Sequence, residues 1–402
     1  MKNYRTLYLG IMYCMTIIPC IAQTDIWTPK ANYGGGGMRK TVSFTIGDKG
    51  YFGTGFNGAN SKTLWEYDPG SDTWTQMADF GGSARNDAVA FAAKGKGYIG
   101  AGAANGIANK DFWEYDPVTN SWSKIDDILG GERVAAVAFS IGDFGYVGTG
   151  GPVGSLNKEF YRYDPTSSTW TAIADCPGVA RGLAVGFSIG DKGYVGTGFA
   201  GGARLDDFWE YDTTSNSWTQ KADFGGAARD VASGFSLGNK GYIGSGGPGG
   251  SVFYDDFWEY DPITDSWTQK ANYPGGLFGY TMAMTINNKG YMGLGSNGGA
   301  FSSEFWEYDA GVVAVGVGEL NSTKELSLWP IPSTGLLHLD FTDQIKEETV
   351  VYLKDILGKN LGTYTFNYGR EHTIDLNNLE NGTYLIEIVR DSKVHVERII
   401  KI

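Results

Sequence analysis

Gly145-Tyr146-Val147-Gly148-Thr149-Gly150, followed by Tyr161-Arg162-Tyr163-Asp164-Pro165 and Trp170, is the stretch that decides the fold, because the chain repeats it along most of its length. The Gly-Tyr pair stands at Gly50-Tyr51, Gly97-Tyr98, Gly145-Tyr146, Gly193-Tyr194, Gly241-Tyr242 and Gly290-Tyr291, in steps of 47, 48, 48, 48 and 49 residues. An aromatic-Glu/Arg-Tyr-Asp box opens at Trp65, Trp113, Tyr161, Trp209, Trp258 and Trp306. A lone Trp keeps the same period at Trp27, Trp74, Trp122, Trp170, Trp218 and Trp267. Within the third unit the pattern predicts four strands: apolar Val134–Ile141, short Gly145–Gly150, aromatic Glu159–Tyr163, and Trp170–Ala174. Gly142-Asp143 and Asp164-Pro165 read as the turns between them.

Four antiparallel strands in about 48 residues make one blade of a propeller. The repeats begin with a fourth-strand signature, Ile26-Trp27-Thr28, and end with a third-strand signature, Phe305 to Asp309. That offset predicts that the Trp27 strand completes the last blade and leaves no unpaired edge. The expected architecture is all-β: a signal peptide at 1–22, a six-bladed β-propeller over 23–310 closed by the N-terminal strand, a Val- and Gly-rich linker at 311–323, and a small antiparallel β-sandwich at 324–402. In that last segment the strand-like runs are Leu336–Phe341, Thr349–Lys354, His372–Leu376, Thr383–Val389 and Val394–Ile402.

Two resemblances follow from these motifs. The Tyr-Asp-Pro turn, the Trp seven residues after the Tyr (Tyr115 to Trp122, Tyr163 to Trp170) and an Arg ahead of the first strand make residues 23–310 similar to the kelch-repeat propellers, which include the galactose-oxidase-like proteins. The pattern departs at the end of the second strand, where Gly148-Thr149-Gly150 replaces the usual Gly-Gly. Residues 324–402 resemble the C-terminal sorting domain of the type IX secretion system of one group of Gram-negative bacteria. The motifs are Trp329-Pro330-Ile331-Pro332-Ser333-Thr334-Gly335, Leu357-Gly358, Leu379-Glu380-Asn381-Gly382-Thr383-Tyr384 and Arg398-Ile399-Ile400-Lys401-Ile402. The family usually has Tyr and Asn where this chain has Trp329 and Ile331. The resemblance implies export across both membranes, the signal peptide serving the inner one and this domain the outer, with the secretion machinery as a partner and the outer surface or the medium as destination. An accessory adhesive sandwich is the other reading of the same segment.

The N-terminus agrees with export. Lys2 and Arg5 precede an apolar run from Leu7 to Ile18, and Cys20-Ile21-Ala22 offers a cleavage site before Gln23. A lipoprotein signal at Cys20 is the competing reading, with Pro19 where a small residue is expected. Cleavage leaves one cysteine, Cys176, so no internal disulfide supports the fold. It also moves the net charge from −13 to −15, which excludes nucleic acid and anionic lipid as partners. No later run reaches the length of a transmembrane helix.

The three histidines, His338, His372 and His395, all lie in the C-terminal segment. The propeller therefore has no Ser-His-Asp triad, no His-based metal site and no cofactor of the copper-oxidase kind. Cys176, in a Cys-Pro turn, reads as a structural thiol. Arg39, Arg85, Arg133, Arg181 and Arg229 precede successive first strands, and Leu277-Phe278 stand at the sixth position. First strands line the channel of a propeller, so these arginines are candidates for an anion-binding funnel. The alternative is that each ties its own interblade loop to carbonyls. Glu132 is the weak catalytic candidate, a lone acid beside Arg133, read either as a general acid/base or as a solvated acid paired to that arginine. Asp206-Asp207 and Asp255-Asp256 read as turn caps, with calcium binding as the alternative. The loops Phe56–Thr63 and Gly247–Tyr254 vary most and are placed to select a ligand. The leading expectation is a binding protein for a glycan or a protein. A carbohydrate mutarotase or epimerase using Glu132 and Arg133, and a purely structural adhesin, are the alternatives.

Overall fold

A computed structural model describes residues 25–310, 326–329, 335–345, 349–355, 359–367, 369–380, 382–390 and 393–401. The signal peptide, the linker, most of the Trp329–Gly335 motif and Leu357-Gly358 lie outside these. No helix occurs among the described residues; the chain is built from repeated four-stranded antiparallel sheets. We number six of these sheets by their first strands: Val42–Ile46, Val89–Ala93, Val137–Ile141, Val185–Ile189, Ser233–Leu237 and Met282–Ile286. The third continues through Phe144–Gly148, Phe160–Asp164 and Thr169–Ile173. Its strands are shorter than the sequence pattern suggests. Val134–Ala136 leaves the ladder because Ala135 takes a left-handed conformation, with φ 56°.

The sixth sheet is assembled from both ends of this region. Ile26–Lys30 pairs with Phe305–Asp309, with Trp27 opposite Tyr308. First strands touch one another in chain order, and that of the sixth sheet touches that of the first.

The glycine landmark has a packing cause. A Cβ on Gly97 would lie 2.2 Å from the Phe44 ring of the preceding sheet, and one on Gly145 would lie 2.1 Å from Phe91. Phe139, Phe187 and Phe235 press in the same way on Gly193, Gly241 and Gly290, and Met284 of the sixth sheet presses on Gly50 of the first. The lone Trp has a polar task as well. Its indole N–H donates to a carbonyl of the preceding sheet: Trp74 to Ala31, Trp122 to Ala78, Trp170 to Asp126, Trp218 to Ala174, Trp267 to Ala222 and Trp27 to Ala271. A buried indole needs such an acceptor, so each Trp is both filler and stitch. The hairpin glycines answer to turn geometry. Gly47 alone has positive φ in the turn between Ile46 and Lys49, as a type II′ turn requires, whereas Asn287 and Asn288 are both positive, as in type I′.

The C-terminal segment forms two sheets. One contains Leu326–Trp329, Leu336–Ile345 and Gly369–Asp375; the other orders Asn360–Phe366, Thr349–Asp355, Gly382–Arg390 and Lys393–Lys401 side by side. Leu337, Leu339, Phe341, Val351, Leu353, Ile374, Ile386 and Ile399 close the core between them. Two of these strands escape the sequence reading. Asn360–Phe366 exposes most of its residues on an outer edge and carries no aliphatic run.

Candidate ligand face and the channel mouth

Segments that lead into the first strands pair with the loops between second and third strands, as in Arg39 with Phe56, Asn109 with Arg133 and Leu205 with Arg229. Both sets of loops therefore share one face, around the channel that the first strands line.

The arginine repeat is one of staples. Arg85 is 1% exposed and binds Asp111 with both forks, at 2.7 and 2.9 Å. Arg181 holds Asp207 at 2.6 and 2.5 Å, and Arg229 holds Asp256 at 2.6 and 2.8 Å. Arg133 reaches Glu159 through one contact of 3.4 Å. Each also donates to the carbonyl that ends a second strand, those of Ala101, Thr149, Thr197 and Ser245. The same arginine's backbone carbonyl accepts an N–H from the preceding sheet: Gly55 for Arg85, Gly102 for Arg133, Gly150 for Arg181 and Gly198 for Arg229. Each guanidinium thus locks one sheet to the next, and the funnel reading of these four is corrected. A bare charge buried at this depth is costly, and the carboxylate 26 or 27 residues on compensates it. Burial pushes the Asp111, Asp207 and Asp256 carboxyls up, but the bonds from arginine and from Trp113, Trp209 and Trp258 outweigh it and hold them below the usual range.

Arg39 does not belong to this set. The residue whose carbonyl receives Gly295 N–H, as Arg85 receives Gly55, is Met38. Arg39 stands one place on, half-buried, level with Asn86, Val134, Gly182, Asp230 and Gly279. Its side chain makes no hydrogen bond to any described residue, its Nε is shielded from solvent without a partner, and its guanidinium lies 5.4, 5.5 and 5.6 Å from the rings of Phe56, Tyr280 and Phe301.

Next comes a ring at the channel mouth. Lys40, Asp87, Ala135, Leu183, Val231 and Tyr280 all adopt positive φ and line a cavity of about 220 Å³. N–H groups of Leu183, Val231 and Tyr280 donate to Ala135, Leu183 and Val231, carrying the backbone around one side. Lys40 and Asp87 pair at 2.6 Å on the other, with the Lys40 ammonium 5.0 Å from the Tyr280 ring. Just outside, Arg204 pairs with Asp230 at 3.0 Å, and Asn86 donates to Asn60 at 2.6 Å. Burial raises the Tyr280 hydroxyl and the Asp230 carboxyl above their ordinary values. Sequence reasoning missed this cluster, because its members share no residue type.

The remaining candidates separate. Glu132 is exposed, does not line the channel and is not the partner of Arg133, which is Glu159. Asp207 and Asp256 give their carboxylates to Arg181 and Arg229, and the Asp255 carboxylate accepts from Asn272, so these three side chains pair across the sheet in place of the expected turn caps. No group of three His, Cys, Asp or Glu side chains suited to a metal occurs among the described residues. Cys176 is buried, and burial pushes its thiol up to about 12. No helix among the described residues is long and apolar enough to cross a membrane.

Residues 327–402 match the family described as secretion system C-terminal sorting domain. The chain ends in a type IX sorting domain. That domain indicates export by the type IX route and implies contact with its machinery. Among solved structures, one titled "Structure of YjhT" superimposes with a TM-score of 0.59 at 20% identity, covering 67% of this chain and 94% of its own. The likeness is one of fold, and supports a kelch-type propeller ahead of the sorting domain. No curated protein matches the chain.

Proposed function

We propose that the chain is an exported, non-enzymatic binding protein, in which a six-bladed kelch-type ring closed by its N-terminal strand presents the channel-mouth face to a glycan or a protein at the cell surface or in the medium. The observation that carries this is the contrast between the loop tips around the channel mouth and the turns on the opposite face. On the mouth face, the loop segments 57–60, 103–108, 151–157, 199–203, 247–254 and 296–301 contain no charged residue. They surround a compact charged cluster at the channel. The opposite turns are lined with ion pairs, such as Lys49 with Asp68, Lys96 with Asp116, Lys192 with Asp212 and Lys240 with Asp261. This crown of uncharged loop tips, rich in Gly, Ala, Asn and Ser, loses little solvation when covered; the ion pairs on this side, such as Lys62 with Asp79 and Lys110 with Asp127, stand beside the third and fourth strands, whereas the opposite turns would have to desolvate their ions. The exported chain, residues 23–402, would be screened on a glycan array and against surface proteins of its source. Acidic substitutions in the crown, Ala59→Glu, Ile107→Glu and Ala300→Glu together, are expected to abolish binding, while Ser71→Glu with Val118→Glu on the opposite face leaves it intact. Equal loss in both variants, or in neither, would move the site off this face.

A further inference from the structure

We infer that the ligand of the mouth face is a sugar bearing a carboxylate, and that Arg39 receives that carboxylate. This rests on the reading of the mouth face as the binding face. The argument begins with charge. Around Tyr280 stand Arg39, Lys40 and Arg204, opposed by Asp87 and Asp230. Lys40 pairs with Asp87 and Arg204 with Asp230, so one positive charge is left over at the mouth, that of Arg39, in a chain whose net charge is −13.

Every staple arginine shows what this protein does with a buried guanidinium: it places a carboxylate against it. At Arg39 no described residue supplies one. Instead, three rings flank the guanidinium and make no hydrogen bond to it, which leaves its forked donors to a planar acceptor from outside. A cation so held is attracted to the ring faces, and a carboxylate adds a charge-assisted bidentate pair that water satisfies less well in a half-buried setting.

The neighbours select the rest of the ligand. Phe56 and Phe301, with ring centroids 6.2 Å apart, offer apolar surface to the C–H face of a sugar ring. Asn60 and Asn86 carry amides suited to hydroxyls, and the surrounding crown is charge-free. An acidic peptide would add its own amide and side-chain requirements, for which this crown provides no second cation beyond the paired Lys40 and Arg204.

The test uses residues 23–402 and a panel of galacturonate, glucuronate and mannuronate oligosaccharides, their methyl esters and their neutral parent sugars, with calorimetry as readout. At least one free-acid member is expected to bind, with its methyl ester at least tenfold weaker. Arg39→Gln is expected to lose that preference and Arg39→Lys to retain part of it, while Glu132→Gln binds as the parent protein does. The comparison of acid with ester in the unaltered protein needs no variant to fold. Equal binding of acid and ester, preference for neutral sugars, or an unchanged preference in Arg39→Gln would overturn the carboxylate assignment and leave the mouth-face reading standing. Binding of acidic peptides in place of sugars would overturn it too. A crown variant that binds as the parent protein does would remove both.

Discussion

Four of the junctions between successive sheets are held by a buried arginine and its carboxylate, and the two that flank the sixth sheet are not. At those two, Met38 and Phe278 replace the arginine, while Thr63 and Glu304 stand two places before Trp65 and Trp306, where Asp111, Asp207 and Asp256 precede their own Trp. At the Met38 junction both members of the staple change; at the Phe278 junction the arginine is lost while Glu304 keeps an acid where Glu159 pairs with Arg133. The difference separates two ways of joining blades. A bidentate pair is directional and suits neighbours that follow each other along the chain. The sixth sheet must instead be completed by a strand from the far end, with Tyr308 donating to Asp25 across 283 positions. Its flanks are packed with Met38, Tyr33, Phe52 and Phe305, whose contacts tolerate small errors of approach.

The largest effect should come from breaking the seam itself. Deleting residues 23–38 removes the strand that pairs with Phe305–Asp309 and the Met38 plug. The product is expected to expose a sheet edge and to aggregate more than the intact chain does, read by light scattering.

Next is the staple. Arg181→Met leaves the Asp207 carboxylate partly buried beside an apolar chain, and should cost about 3 kcal/mol in urea unfolding. The double change Arg181→Met with Asp207→Thr copies the natural Met38 and Thr63 pair and should recover much of that loss. If the double variant is no better than the single one, the seam is not a workable replacement for a staple.

Acid sharpens the same contrast. Folded-state values of Asp111, Asp207 and Asp256 are lowered, so their contribution is complete above the free Asp value of about 4 and disappears as pH falls through the lowered folded values. Unfolding free energy should therefore drop below about pH 4, and Asp207→Asn should flatten that drop by one proton's worth. The smallest effect is expected from Tyr308→Phe, which removes one hydrogen bond at the seam and should cost about 1 kcal/mol by chemical denaturation, since Lys270 still pairs with Asp25 at 3.0 Å.

Much of the staple was legible in the repeats before any coordinates. Asp stands two residues ahead of Trp113, Trp209 and Trp258, and Arg precedes those same first strands. That joint occurrence is a contact signal. Counting back twelve residues from Gly50-Tyr51 also lands on Met38, not Arg39, although Arg39 lies close enough to be taken for a member of the series. The mouth cluster had no such signal. Lys40, Asp87, Arg204, Asp230 and Tyr280 come from five different repeats and share no motif.

By itself the sequence determined the all-β class, the repeat length with its Gly-Tyr landmark, and the sorting domain, because each is a local pattern or a motif at a fixed period. Tertiary structure alone decided which arginines are neutralised inside the protein and which one is left at the mouth. Charge pairing depends on distances between segments 26 or more residues apart, and a one-residue shift moves a guanidinium from a buried junction to a half-buried place among Phe56, Tyr280 and Phe301.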